Sequence, residues 1–133
     1  MITRLLQKDL TQRLKHYPAV ALLGARQVGK TTLAKSITKK LKMDTVYLDL
    51  ERKSDVQKLS DAESYLTRNA DKCVIIDEVQ QLPQLFSLLR SLIDEDRRPG
   101  RFLLLGSASP ELVKGISESL AGRISHLELT PIT

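Results

Sequence analysis

Residues 19–32 read AVALLGARQVGKTT. Ala19 to Leu23 form an unbroken apolar run that stops at Gly24, the form of a short strand buried on both faces. Gly24-Ala25-Arg26-Gln27-Val28-Gly29-Lys30-Thr31 then follows the pattern G-x-x-x-x-G-K-T. Glycines in such a loop let backbone N–H groups turn inward around phosphate oxygens. Lys30 to Leu41 carries Leu33, Ile37 and Leu41 four apart and ends in a Lys-rich turn. A helix therefore opens directly from the loop and adds its dipole and unpaired N–H donors. Strand, glycine loop and helix in this order are the context a phosphate-binding loop requires. Its fixed positions would match by chance in about one chain in a hundred of this length. Within it, Lys30 is placed to reach the β- and γ-phosphates, Thr31 to offer a hydroxyl to Mg²⁺, and Thr32 to support the helix start.

Outward from this loop the pattern alternates. Residues 2–15 predict an amphipathic helix with Ile2, Leu5, Leu6, Leu10 and Leu14 on one side, ended by Pro18. Thr45 to Leu50 predicts a second strand, and residues 55–69 a helix with Val56, Leu59, Ala62 and Leu66 in one stripe. Cys73 to Ile76 is another apolar run and ends in two acids, Asp77 and Glu78. Pro83 suits the first turn of a helix reaching Asp94. Phe102 to Leu105 is a third apolar run, closed by Gly106; residues 110–120 predict a helix and Ser125 to Leu129 a last strand. Strands separated by helices imply right-handed crossovers and a parallel sheet. Ligands of such sheets bind beyond the carboxyl ends of the strands, which here means just after Leu23, Ile76 and Leu105.

Composition narrows the classes. At 133 residues the chain fits one domain, and 41% hydrophobic with 28% charged residues is ordinary for a globular protein. Without Trp and with 4% aromatics, an all-β sandwich or a stacking single-strand binder is disfavoured. One cysteine, Cys73, excludes an internal disulfide framework and reads as a core residue. No apolar run approaches a membrane span and the N-terminus lacks a secretory core, so a cytoplasmic location is expected. The net charge of +5 favours polyanionic partners weakly. Its clusters, Lys8, Arg13 and Lys15; Lys39, Lys40 and Lys42; Arg97, Arg98 and Arg101, read first as solvated faces.

Asp77, at the end of a buried strand, is positioned to hold Mg²⁺ through its water shell. Glu78 is positioned as base or orienter for an attacking water, with a structural cap or ion pair as the alternative. Ser107 stands where a sensor of the γ-phosphate would stand, and equally where a turn residue would; Ser109, before Pro110, reads as a helix cap. Arg123, beside Gly122 at a helix end, has three open roles: meeting transition-state charge in its own chain, meeting it in a neighbouring chain, or a structural one. Gln80 and Gln81 follow the acids and could contact the nucleotide site, but read first as loop residues. His16 and His126 are isolated, and no N-K-x-D guanine-reading motif occurs.

LLGARQVGKTTLAK, YLDLE, VIIDEVQQLP, FLLLGSAS and ESLAGRISHLEL occur in that order at compact spacing. Together they resemble the nucleotide-binding core of a prokaryotic family of AAA-type P-loop ATPases. In that family the core is followed by a C-terminal domain of uncharacterised function. The resemblance implies a three-layer α/β P-loop NTPase fold with a mainly parallel sheet and an extra strand between the Walker A and Walker B strands. It matches Lys30 and Thr31 to Walker A, Asp77 and Glu78 to Walker B, Ser107 to the sensor position and Arg123 to the arginine of the SLAGR segment. Residues 1–133 are expected to be one core domain, a truncated or fragment form of the longer architecture.

The leading expectation is an ATP- and Mg²⁺-binding ATPase. Gly24 to Thr32 would hold the nucleotide, Thr31 and Asp77 the metal, and Lys30, Glu78, Ser107 and Arg123 would serve catalysis. The alternative is a nucleotide-gated module for nucleic acid or protein with little turnover. A small-molecule kinase is disfavoured, because the stretch between Leu50 and Cys73 holds only Arg52 and Arg68 for a lid.

Overall fold

The computed structural model describes residues 4–25 and 29–129. In chain order the elements are α1 (Arg4–His16), β1 (Ala19–Leu23), α2 (Lys30–Lys40), β2 (Thr45–Asp49), α3 (Lys53–Lys58), α4 (Ala62–Arg68), β3 (Cys73–Asp77), a 3₁₀ turn (Val79–Gln81), α5 (Leu85–Glu95), β4 (Phe102–Gly106), α6 (Pro110–Leu120) and β5 (Ile124–Glu128). The strands form one parallel sheet in the order β2-β3-β4-β1-β5. β4 thus lies between β1, which feeds the glycine loop, and β3, which ends in Asp77. The register aligns Leu23 with Gly106 and Glu128, and Asp49 with Asp77, so the carboxyl ends share one edge.

Strand alternation splits the core in two. Ala19, Ala21, Leu23, Val74, Ile76, Phe102 and Leu104 face α3 to α6, meeting Leu59, Leu66, Phe86, Leu89, Ile93, Leu112 and Ile116. Val20, Leu22, Cys73, Ile75, Leu103 and Leu105 face α1 and α2, meeting Leu10, Leu14, Leu33, Ala34 and Ile37. Covering both faces explains why β1, β3 and β4 read as unbroken apolar runs. β2 and β5 are the sheet edges and are only partly buried, which is why their patterns are mixed. Cys73 is a core residue, 1% exposed; burial pushes its thiol up to about 12, so it is not a nucleophile at neutral pH.

Three expectations are corrected. The single helix over 55–69 is two helices: Asp61 caps α4 by accepting the Ser64 N–H at 3.3 Å, which restarts the helix after Leu59. Pro83 precedes α5 instead of entering it, and its carbonyl accepts the Phe86 N–H at 3.1 Å. Of the Arg97, Arg98 and Arg101 cluster only Arg97 is on a solvated face. Arg101 is 3% exposed and donates to the Leu92 and Asp96 carbonyls at 2.6 and 3.1 Å, satisfying the end of α5. Arg98 donates to the Ala70 and Lys72 carbonyls before β3. Arginine forks here do the work of backbone pairing at the amino edge of the sheet.

Candidate functional site

β1 delivers the chain to the carboxyl edge, where the Gly24 N–H donates to the Gly106 carbonyl at 3.0 Å and anchors the loop to β4. Gly29 closes the loop as the cap of α2 with φ 77 and ψ 32, a left-handed conformation that glycine adopts without a Cβ clash. Lys30 follows as the first residue of α2. Its ammonium, in a residue only 6% exposed, donates to the Gly24 and Ala25 carbonyls at 2.7 and 3.1 Å. Among the described residues its hydrogen-bond partners are neutral carbonyls, and a phosphate oxygen at this place would offer it a stronger, charge-assisted bond. Arg26, Gln27 and Val28, expected to complete the loop, lie outside the described residues.

The second half of the site comes from β3 and β2. Thr31 Oγ1 donates to Asp77 Oδ2 at 2.8 Å, joining the first turn of α2 to the end of β3. Tyr47 on β2 donates its hydroxyl to the same oxygen at 2.5 Å. Asp77 Oδ1 accepts the Glu78 N–H at 2.9 Å. Burial, followed by the bond to Asp77 and its charge, pushes the Tyr47 phenol above its ordinary range, so it remains a proton donor at neutral pH. Glu78 has φ 56 and ψ 47, a left-handed conformation that costs a non-glycine residue about 1–2 kcal/mol. Gln80 Nε2 donates to Glu78 Oε1 at 3.1 Å and fixes the direction of that carboxylate. The Gln80 Oε1 is buried without a hydrogen-bond partner among the described residues. It lies against Gly106, where an added Cβ would sit 2.7 Å from it.

These groups surround a cleft of about 260 Å³ lined by Gly29, Lys30, Thr31, Thr32, Asp49, Glu51, Asp77 and Glu78. That volume is below the 300–1,000 Å³ typical of whole small-molecule sites, and it suits the polyphosphate end of a nucleotide. Among the described lining residues one ammonium faces four carboxylates. A polyphosphate would be repelled there unless a divalent cation accompanied it. Oxygen donors of this kind, a threonine hydroxyl beside a carboxylate, suit Mg²⁺, so the residues fit the metal expected of them.

Gly24, Ala25, Gly29, Lys30, Thr31, Thr32, Asp77 and Glu78 therefore gather at one edge. Ser107 directly follows β4 at that edge and is half-buried, outside the set of residues lining the cleft. Ser109 is the cap of α6, accepting the Leu112 N–H at 3.2 Å with Pro110 next in line. Arg123 is at the opposite edge. It precedes β5, and its carbonyl accepts the Ala19 N–H at the start of β1. The length of β1 separates it from the loop by about 13 Å. There its guanidinium grips Asp94 of α5 with bonds of 2.7 and 2.9 Å, so it does not meet the phosphate site of its own chain. Sequence reading missed Tyr47, Asp49 and Glu51, and gave Gln80 a loop role ahead of a contact at the site. The polar residues at every second place in YLDLE were the available signal for the first three.

A profile of the AAA domain family matches residues 16–133. The chain belongs to that family. This AAA domain is 44% identical over 124 residues to the uncharacterized proteins Rv2008c of Mycobacterium tuberculosis and Mb2031c of Mycobacterium bovis. The match covers 93% of this chain and 27% of theirs, so the chain spans about a quarter of the length of these relatives. Among solved structures it is similar to the replication initiator DnaA bound to AMPPCP and single-stranded DNA, with TM-score 0.61 and 17% identity over 96% of this chain and 46% of that one. It is also similar to the P-loop NTPase domain of a sigma-54 transport activator from E. coli, with TM-score 0.58 and 20% identity over 82% of this chain and 95% of that one. At these identities the solved structures share its fold, an α/β P-loop NTPase with a five-stranded parallel sheet. Family and fold together support nucleotide binding. Among the described residues no helix is long and apolar enough to cross a membrane.

Proposed function

We propose that this AAA domain binds ATP with Mg²⁺ and hydrolyses its terminal phosphoanhydride bond. The observation that carries the reading is the convergence of Lys30, Thr31, Asp77 and Glu78 around one cleft, with Thr31 and Asp77 already in contact. Thr31 and Asp77 would hold the cation, which when bound neutralises charge on the phosphate oxygens. Lys30 exchanges its carbonyl partners for the β- and γ-phosphate oxygens. The backbone N–H groups at the start of α2 receive the same anion. Glu78, aimed by Gln80, orients a water and takes its proton as the water oxygen bonds to the γ-phosphorus. The bond from that phosphorus to the β,γ-bridging oxygen breaks, releasing ADP and inorganic phosphate. Ser107 serves as a sensor at the rim, while Arg123 takes no part in its own chain's reaction.

The test is calorimetric titration of ATP and ADP with Mg²⁺ and with EDTA, followed by phosphate release on the same sample. Micromolar or tighter binding that weakens sharply in EDTA, with phosphate released above background, supports the reading. Absence of nucleotide binding at millimolar concentration would overturn it.

A second reading, a nucleotide-gated module for a polyanion, is favoured by one observation. α1 and α2 cover the same face of the sheet, and Lys40 reaches Gln7 Oε1 of α1 at 3.4 Å. The exposed Lys8, Lys39, Lys40 and Lys42 are thereby gathered on that side. Affinity for single-stranded DNA that falls steeply with salt, and that changes when ATP is added, would favour this reading.

A further inference from the structure

The YLDLE segment has no role in the reading above, yet its alternation has a structural consequence. Leu48 and Leu50 are buried toward α3 to α6. Tyr47 packs toward α1 and α2, and Asp49 and Glu51 line the cleft. Tyr47 is in register with Ile75, two residues before Asp77 on the neighbouring strand, and its hydroxyl lies 2.5 Å from Asp77 Oδ2. We propose that Tyr47 is a positioning residue for the cation: its hydroxyl fixes the carboxylate of Asp77 in the orientation that holds Mg²⁺ beside Thr31. The proposal rests on the phosphate-site reading above.

Three features carry it. First, the Asp77 carboxylate is held at both ends, Oδ1 by the Glu78 N–H and Oδ2 by the hydroxyls of Thr31 and Tyr47. Thr31 is itself assigned to the metal, so its hydroxyl serves two tasks, whereas the Tyr47 hydroxyl serves the carboxylate. Second, the ring is contacted from α2. The Lys35 ammonium lies 4.3 Å from its centroid, and Lys35 is one helical turn after Thr31 on the same face of α2. The helix that carries Thr31 thus also fixes the ring that orients Asp77. Third, Tyr47 belongs to β2, an edge strand whose neighbour in the sheet is β3. The bond ties that edge to the metal-holding group. Partners of metal-holding carboxylates of this kind typically change metal affinity by ten- to a hundredfold when removed.

Tyr47→Phe keeps the ring and the Lys35 contact and removes the hydroxyl alone. Mn²⁺ binding to the ADP complex is measured by electron paramagnetic resonance, and ADP binding in EDTA by calorimetry. The expected result is a Mn²⁺ affinity lowered about tenfold or more, with ADP affinity in EDTA within twofold of wild type. Mn²⁺ affinity within twofold of wild type overturns the proposal. So does an equal loss of ADP affinity in EDTA, which would mean that Tyr47 shapes the loop instead of the carboxylate. Should Tyr47→Phe fail to fold, the chain supplies a second measurement, because it has no Trp and its tyrosines are Tyr17, Tyr47 and Tyr65. With Tyr17 and Tyr65 both changed to Phe, tyrosine emission reports Tyr47 alone. It is expected to change when Mg²⁺ is added to the ADP complex, and constant emission overturns the proposal. If wild type binds ADP but not Mn²⁺, the positioning role falls by itself; if it binds neither, the phosphate-site reading falls with it.

Discussion

Lys30→Met separates the cost of a buried charge from its use. Methionine keeps the length and apolar stem of the side chain but removes the ammonium that now donates to the Gly24 and Ala25 carbonyls. Two opposing effects act on the nucleotide-free protein. The carbonyls lose a donor, at about 1–3 kcal/mol for each left unsatisfied. The protein also no longer has to desolvate an ammonium whose hydrogen-bond partners among the described residues are carbonyls, which removes a cost of comparable size. The melting temperature without ligand should therefore move by only a few degrees. Binding should still weaken, because a charge-assisted bond to phosphate, worth about 1.5–3 kcal/mol, outweighs the bonds to neutral carbonyls that Lys30 gives up. At about 1.4 kcal/mol per decade, the loss is about ten- to a hundredfold in ATP affinity. Calorimetry gives the affinity directly, and the rise in melting temperature under saturating Mg-ATP should shrink in parallel. An ATP affinity within twofold of wild type would refute the assignment of Lys30 to the phosphates, whatever happens to stability.

Glu78→Gln should leave ATP affinity nearly unchanged and lower phosphate release by about a hundredfold or more, as expected for an interaction made mainly in the transition state; equal rates in the two proteins would return Glu78 to a structural role. Arg123→Ala should leave the nucleotide titration of the isolated chain unchanged while lowering its melting temperature, because the pair with Asp94 lies at the far edge of the sheet; a weakened ATP affinity would contradict that placement. Asp55→Asn tests the joint between α3 and β2. The buried Asp55 carboxylate accepts the Asp49 N–H at 2.8 Å, and chiefly this bond, then the neighbouring Lys58, holds it below its ordinary 3.8. Its folded value is depressed, so its stabilisation is fully present above pH of about 4 and is lost as pH falls through the folded value. The gap in melting temperature between wild type and Asp55→Asn should thus be widest near neutrality and close in acid; a gap independent of pH would show that the charge of Asp55 contributes nothing.

The parts of the site that are local in sequence were legible without coordinates. The loop from Gly24 to Thr31 carries its own signature because one turn of backbone and one helix start would make most of the proposed phosphate cradle. Asp77 and Glu78 stood out because two acids cannot end a doubly buried strand without facing the crevice beyond it. Tyr47 did not stand out, since a tyrosine in a β-rich run is first of all a good strand former. Its role depends on β2 pairing with β3 in a register that aligns Asp49 with Asp77. Gln80 was read as a loop residue for the same reason: its bond to Glu78 arises from the left-handed backbone at Glu78, which no residue type announces. Which of its three open roles Arg123 could fill in its own chain was not legible, because its distance from Lys30 is set by strand direction, and proximity to a glycine says nothing of which edge of the sheet it occupies.

By itself, then, the sequence determined the class of fold, the buried strands, the phosphate loop and the acids of β3. Each of these is written in runs of neighbouring residues whose periodicity and turn chemistry are local. Only the tertiary structure decided which side chains meet across strands. It brought Tyr47 to Asp77, turned Glu78 toward Gln80, buried Arg101 under α5 and carried Arg123 to the edge away from the nucleotide cleft. Those contacts follow from strand order and register, which hydrophobic burial over the whole sheet selects, and no short segment encodes them.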